Sequence, residues 1–271
     1  MKLVVLRGSQ PHDAQTAQAP VRHRRPPTRD PAPTGQLGAI ALSDAGEQWS
    51  LLNVSPAVAQ QLLEDPGLSE HAGLGDAEVR SIILTDAQID HVTGLLSLRD
   101  GAPISLYCTP AVFEVLSQRM PVLQVLQRYC GVHWHVIPVA GEAWSASFRV
   151  ETLPALEFTA FATDALPLPY PLEPGTPTST GLSIALAVRD LRTGQRLFLA
   201  QGGQSLGPTE LDWLRGADCV MVDDRTTWPD DPEGVPWRAH RKVLLQGGIG
   251  PETPARPAGF EPAYDGMVIT L

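Results

Sequence analysis

The sequence predicts an α/β sandwich, two facing β-sheets with helices on the outside. Three observations predict it. Short apolar runs of strand length recur along the whole chain, and helical segments are interspersed with them at both ends. Residues 79–108 also show the strand–loop–helix–strand order of a βαβ unit. With 43% hydrophobic and 18% charged residues, a sizeable core is available and global disorder is excluded.

The elements follow in order. KLVVL (2–6) reads as a short buried strand. Residues 10–36, rich in Pro, Gln and Arg, read as an irregular loop, and the basic cluster Arg22 to Arg25 within it as a solvated loop. LGAIALS (37–43) and QWSLLNV (48–54) form a hairpin across the turn Asp44-Ala45-Gly46-Glu47. Ser55-Pro56 opens a helix, with Ser as N-cap and Pro at the first helical position. The βαβ unit then runs from a strand at 79–84 through a polar loop (85–91) and an amphipathic helix (about 92–98) to a strand at 104–108. Thr109-Pro110 starts the helix AVFEVLSQ. Strands are expected at 133–139, 148–155, 182–190 and 196–202, the last two as a hairpin across Thr193-Gly194. The helix TELDWLRG leads into the strand ADCVMVDD, and RKVLLQGG and GMVITL are the last two strands.

A net charge of −10 and a pI near 5.1 disfavour nucleic acid or an anionic membrane as partner, since both need a basic surface. No run of about 18 apolar residues reads as a membrane span. The apolar stretch before Arg7 is too short for a signal peptide, so cytoplasmic residence is expected. Cys108, Cys130 and Cys219 are far apart and odd in number, which fits neither a disulfide framework nor a CxxC zinc site. His133 and His135 share one side of a strand and read as a surface pair. No GxSxG, Walker or GxGxxG run occurs.

Polar residues gather where strands give way to loops: Asp86, Gln88, Asp90 and His91, then Gln201, Asp223 with Asp224, and Gln246. Ligands collect at the carboxyl ends of strands in α/β architectures, so a shared cleft is one reading. The other is that loops are simply polar.

The run ILTDAQIDHVTGLLSLRDG resembles coenzyme PQQ synthesis protein B, a family of the metallo-β-lactamase superfamily. The superfamily carries an HxHxDH loop at this place; the PQQ family has D-x-Q-x-D-H, matched here by Asp86, Gln88, Asp90 and His91. Gly8-Ser9, the IALSD…W…LLN hairpin, Ser55-Pro56, CTPAVFEVL, GADCVMVDD with Trp228, RKVLL and Tyr264 to Met267 extend the resemblance over nearly the full length. It implies one metallo-β-lactamase-like αββα domain over 1–271, with two mixed β-sheets and helices outside. It also implies a role in making pyrroloquinoline quinone or a related peptide-derived product. The family is implicated in oxidising a tyrosine-derived peptide intermediate and in transport of the cofactor or its precursor.

The chain departs from the family at three places. The Pro- and Arg-rich segment stands where the family has a cysteine-rich metal-binding stretch. The connection DDPEGVPWRAH lacks the family's Gly-His segment, and Gln246 to Gly250 replaces a His- and Asn-rich run. Of the expected active-site histidines, His91 alone stands at a matching position. Two functions follow. A degenerate-site member would hold no metal or other cofactor and would bind a small-molecule or peptide precursor, or a protein partner of the pathway. Alternatively, a divergent iron-dependent hydroxylase would hold a single iron or other divalent metal on Asp86, Asp90 and His91, with Asp223 as a possible fourth ligand. In either case Gln88, Gln201, Asp223, Asp224 and Gln246 line the pocket. A third reading needs no site: Asp90 and His91 hydrogen-bond within the loop or cap the helix near Val92.

Overall fold

The computed structural model describes residues 1–6, 39–64, 80–164, 168, 179–200, 208–223, 238–245 and 259–271. The expected irregular loop at 10–36 lies outside them.

Two seven-stranded sheets face each other. The first comprises β1 (Lys2–Leu6), β2 (Ala39–Ser43), β3 (Ser50–Leu52), β4 (Arg80–Ile83), β5 (Ile104–Cys108) and β6 (Val132–Val136), with β14 (Val268–Thr270) returning to the edge beside β1. The second comprises β7 (Ser145–Phe148), β8 (Leu156–Ala162), β9 (Ile184–Asp190), β10 (Arg196–Ala200), β11 (Cys219–Asp223), β12 (Arg241–Leu245) and β13 (Glu261–Pro262). Both sheets are mixed. β3 to β6 are parallel, as are β10 to β13, and the remaining pairs are antiparallel.

Alternation along the strands builds the layers. Leu3, Leu42, Leu52 and Ile83 of the first sheet pack against Phe158, Leu186, Leu197 and Met221 of the second. The other face of the first sheet, with Leu51, Ile82 and Leu106, carries Val58 and Leu62 of α1 (Pro56–Glu64) and Val112 of α3 (Pro110–Glu114). The outer face of the second, with Phe198, Val220 and Leu244, meets Leu214 of α5 (Pro208–Gly216). Strands covered on both faces need apolar side chains on both, which is why they read as continuous apolar runs. Fully burying each such side chain stabilises the fold by about 1.5–3 kcal/mol. Among the described residues, no helix is long and apolar enough to cross a membrane.

Two expectations are corrected, and two elements are added to them. The strand at 148–155 does not form. Phe148 ends β7, Val150 and Leu153 turn into the core, and Leu153 N–H donates to Val150 O at 2.9 Å while Leu156 N–H donates to Leu153 O at 3.0 Å. The strand that continues the sheet is β8, which the sequence reading missed. The helix expected from 92 begins earlier, as α2 (Ile89–Val92), and tightens into a 3₁₀ segment over Thr93–Leu98. A short helix, α4 (Val122–Leu126), was also missed. His133 and His135 lie on the edge strand β6, where His135 stacks on Tyr107 with ring centroids 4.4 Å apart.

All three cysteines are buried and free. Burial pushes the Cys108 thiol above its ordinary range and the Cys219 thiol up to about 12. Because the thiolate is the nucleophile, a thiol reagent at pH 8 is expected to modify none of the three in the native protein and all three after unfolding. Rapid labelling of folded protein would contradict this burial.

Candidate functional site

The parallel strands of both sheets end at the same mouth of the sandwich. β9 runs against β10, so its start lies there too, and a bridge between Asp86 and Ser183 joins the loop after β4 to the second sheet. Ile184 N–H also donates to Thr85 O at 2.9 Å. The loop after β4 is thereby tied to both sheets, which fixes it far more firmly than a surface connection.

Within this loop Asp86 is buried and turned inward. Its Oδ1 accepts from the Gln88 backbone N–H at 2.9 Å, and its Oδ2 accepts from the Thr85 hydroxyl at 3.1 Å. His91 Nδ1 lies 2.7 Å from Oδ1 and 2.8 Å from Oδ2. An ionised carboxylate only accepts, so Nδ1 is the donor. Burial works against the Asp86 charge. The neighbouring His91 charge and the hydrogen bonds from His91, Gln88 and Thr85 outweigh it and hold the carboxyl below its ordinary value. For His91 burial disfavours the cation, but Asp86, followed by the charges of Asp223 and Asp90, raises its pKa. The two groups form a partly buried ion pair.

Asp223 ends β11, on the parity that faces the interior with Cys219 and Met221, and its charge reaches His91 across the gap between the sheets. Asp90 is the acidic residue of α2, one position before His91. The structure thus brings Asp86, Gln88, Asp90, His91 and Asp223 to one mouth. Gln201, Asp224 and Gln246 lie outside the described residues.

Sequence reasoning assigned no role to the residues behind the pair. Asn53 follows β3 with a φ of 59°, the left-handed region that Asn tolerates better than most side chains. Its neighbour Val54 donates from N–H to His91 O at 2.7 Å and accepts at its own O from Gly94 N–H at 3.1 Å. A side chain at 94 has no room. A Cβ there would stand 2.3 Å from Ser55 O and 2.6 Å from Val54 O. The turn after β3 and the start of the 3₁₀ segment are packed backbone to backbone.

Two facing mixed sheets, outer helices and an Asp/His loop at the strand ends define the chain's class. Residues 48–246 match the beta-lactamase superfamily domain, and the chain is a member of that superfamily. It is 35% identical to coenzyme PQQ synthesis protein B of Klebsiella pneumoniae, over 86% of this chain and 85% of that protein. It is 38% identical to the Pseudomonas entomophila protein, over 78% of this chain and 70% of that one. The chain belongs to the coenzyme PQQ synthesis protein B family. Two solved structures share the fold. The Zn(2+)-bound PqqB from Methylobacterium extorquens superposes with a TM-score of 0.64 at 19% identity, covering 100% of both chains. A diphosphatase of the PhnP family gives 0.59 at 15% identity, covering 99% of this chain and 96% of that one.

The superfamily implies a metal, and the described residues do not fit one as they stand. Both Asp86 oxygens are occupied by protein donors, and His91 Nδ1 is held by Asp86, which leaves Nε2 as the one ring nitrogen of His91 that could ligate. Among the described residues, no three His, Cys, Asp or Glu side chains are gathered as metal ligands.

Proposed function

We propose that this chain acts in the biosynthesis of pyrroloquinoline quinone or a related peptide-derived product, as a degenerate-site member of its family. It binds a precursor, small molecule or peptide, or a protein partner of the pathway, or serves its transport, as one cytoplasmic domain over 1–271. The role in the pathway rests on the likeness to the Klebsiella and Pseudomonas proteins. The degenerate site rests on one observation: Asp86 is turned to His91 Nδ1, at 2.7 Å, so that of the pair only the imidazole Nε2 is left to meet an ion. The cleft then offers Gln88, Asp90 and Asp223, with Gln201, Asp224 and Gln246, as polar lining for a ligand. The net charge of −10 agrees with a partner other than nucleic acid.

One observation favours a second reading. The Methylobacterium extorquens relative is zinc-bound. In that reading Asp86 and His91 separate on metal binding and, with Asp90 and Asp223, hold one iron or other divalent metal. The metal would supply oxidative chemistry toward a tyrosine-derived peptide intermediate.

Elemental analysis of protein purified without added metal separates the two. The proposal expects far less than stoichiometric iron or zinc, and no rise in melting temperature when either is added. A ligand that binds only the native state must stabilise it. Near-stoichiometric metal in the wild type, lost in His91→Ala, would falsify the degenerate-site reading and restore the hydroxylase.

A further inference from the structure

We propose that Asn53 is a positioning residue that fixes the Asp86–His91 pair through a hydrogen-bond relay of one polarity running through Thr85. The functional consequence of this inference rests on the reading of the mouth as the working site; the relay itself does not.

The polarity follows from what each group can do. Thr85 N–H can only donate, and the Asn53 atom it meets at 3.0 Å is therefore the amide oxygen Oδ1. That orientation leaves Asn53 Nδ2 to donate to Thr85 Oγ1, at 2.8 Å. With its oxygen accepting there, the Thr85 hydroxyl proton is directed onward to Asp86 Oδ2, at 3.1 Å. Asp86 in turn accepts from His91 Nδ1. The chain of bonds runs from the left-handed Asn53, just after β3, through Thr85 and Asp86 to the imidazole, and these three residues are buried. A low local dielectric strengthens such a fully satisfied network and makes a break in it costly.

The same turn grips the far end of the loop as well. Asn53 holds Thr85, and Val54 N–H holds the O of His91, which closes the same loop. One tight turn after β3 therefore sets both the carboxylate and the imidazole. The φ of 59° is what aims the Asn53 side chain and the Val54 N–H at the same loop. A strained residue at a site, over-determined by its surroundings, is the usual mark of such a device.

Ring-nitrogen shifts of His91, read through its carbon-bound protons in long-range proton–nitrogen spectra at pH 7, test the relay in the full chain. His91→Ala assigns the signal by its loss. Asn53→Asp keeps the size and tolerates the left-handed backbone, but a carboxylate there accepts the Thr85 proton and reverses the relay. Thr85→Val keeps the shape and removes the hydroxyl, and Thr85→Ser restores it. The relay predicts that the His91 nitrogen shifts move toward those of a free imidazole in Asn53→Asp and Thr85→Val and return to wild-type values in Thr85→Ser. Wild-type shifts in folded Asn53→Asp and Thr85→Val overturn it. Should Asn53→Asp fail to fold, Asn53→Gly, which suits the same φ and lacks the amide, takes its place with the same expected shift. A separate arm measures pyrroloquinoline quinone output when each variant replaces the coenzyme PQQ synthesis protein B of a deletion strain. Moved shifts with unchanged output sink the functional reading of the mouth and leave the relay standing.

Discussion

Replacing Gly94 with alanine is expected to destabilise the protein by about 3 kcal/mol, at the upper end of overpacking costs. For a chain of this size that lowers the melting temperature by roughly 6–12 °C. The added Cβ would stand 2.3 Å from Ser55 O and 2.6 Å from Val54 O. Both obstacles are backbone, so no flexible side chain can move aside. The 3₁₀ segment must lift from the turn after β3, and with it goes the bond from Gly94 N–H to Val54 O. Since Val54 N–H holds His91 O, the displacement reaches the site loop as well as the packing. Gly46→Ala is the control. Gly46 has a φ of 86° but open space around its Cβ position, so only the left-handed backbone cost of about 1–2 kcal/mol applies. A melting temperature for Gly94→Ala no lower than for Gly46→Ala would show that the two backbones do not pack as described.

Asp86→Ala is expected to be at least as costly, about 3–5 kcal/mol, because it leaves the His91 Nδ1–H, the Gln88 N–H and the Thr85 hydroxyl without their buried acceptor. The side chain of His91 is 12% exposed, which places the effect toward the lower figure. The pH dependence carries the diagnosis. Asp86 has a folded pKa below its unfolded value, so its contribution is present above the unfolded value of about 3.9 and is lost as pH falls through the folded one. His91 has a folded pKa above its unfolded value, so its contribution is complete below about 6.5 and is lost as pH rises through the folded one. The difference in unfolding free energy between wild type and variant should therefore form a plateau between these limits and shrink on both sides. Urea unfolding of both proteins across a pH series measures it. A difference that stays level from acid to alkali would mean that packing, not the ion pair, accounts for the loss.

The strands were legible wherever both faces are covered. KLVVL and ISLYC read as apolar runs and form β1 and β5 with the expected ends. Hairpins across Asp44 to Glu47 and Thr193-Gly194 were legible from turn chemistry. β8 was missed because the apolar residues just before it, Val150 and Leu153, serve as turn residues buried in the core, and burial alone does not distinguish a turn from a strand. The early helix start at Ile89 was hidden for a related reason. Its first turn carries the polar site residues, and its tightening into a 3₁₀ segment answers the close approach of Gly94 to another part of the chain.

The site divides along the same line. The sequence by itself determined the class of fold, the family and the position of the Asp86-to-His91 loop, since apolar runs and a motif of fixed spacing are local properties. Only the tertiary structure decided what those residues do to one another. Asp86 reads along the chain as a possible ligand, but it pairs with His91, and Asn53, 32 residues before Thr85, presents its amide to that threonine. Asp223 acts on His91 from the other sheet, because β11 ends opposite the loop. Such pairings depend on sheet register and on one left-handed backbone angle at Asn53, and neither is a property of any segment taken alone.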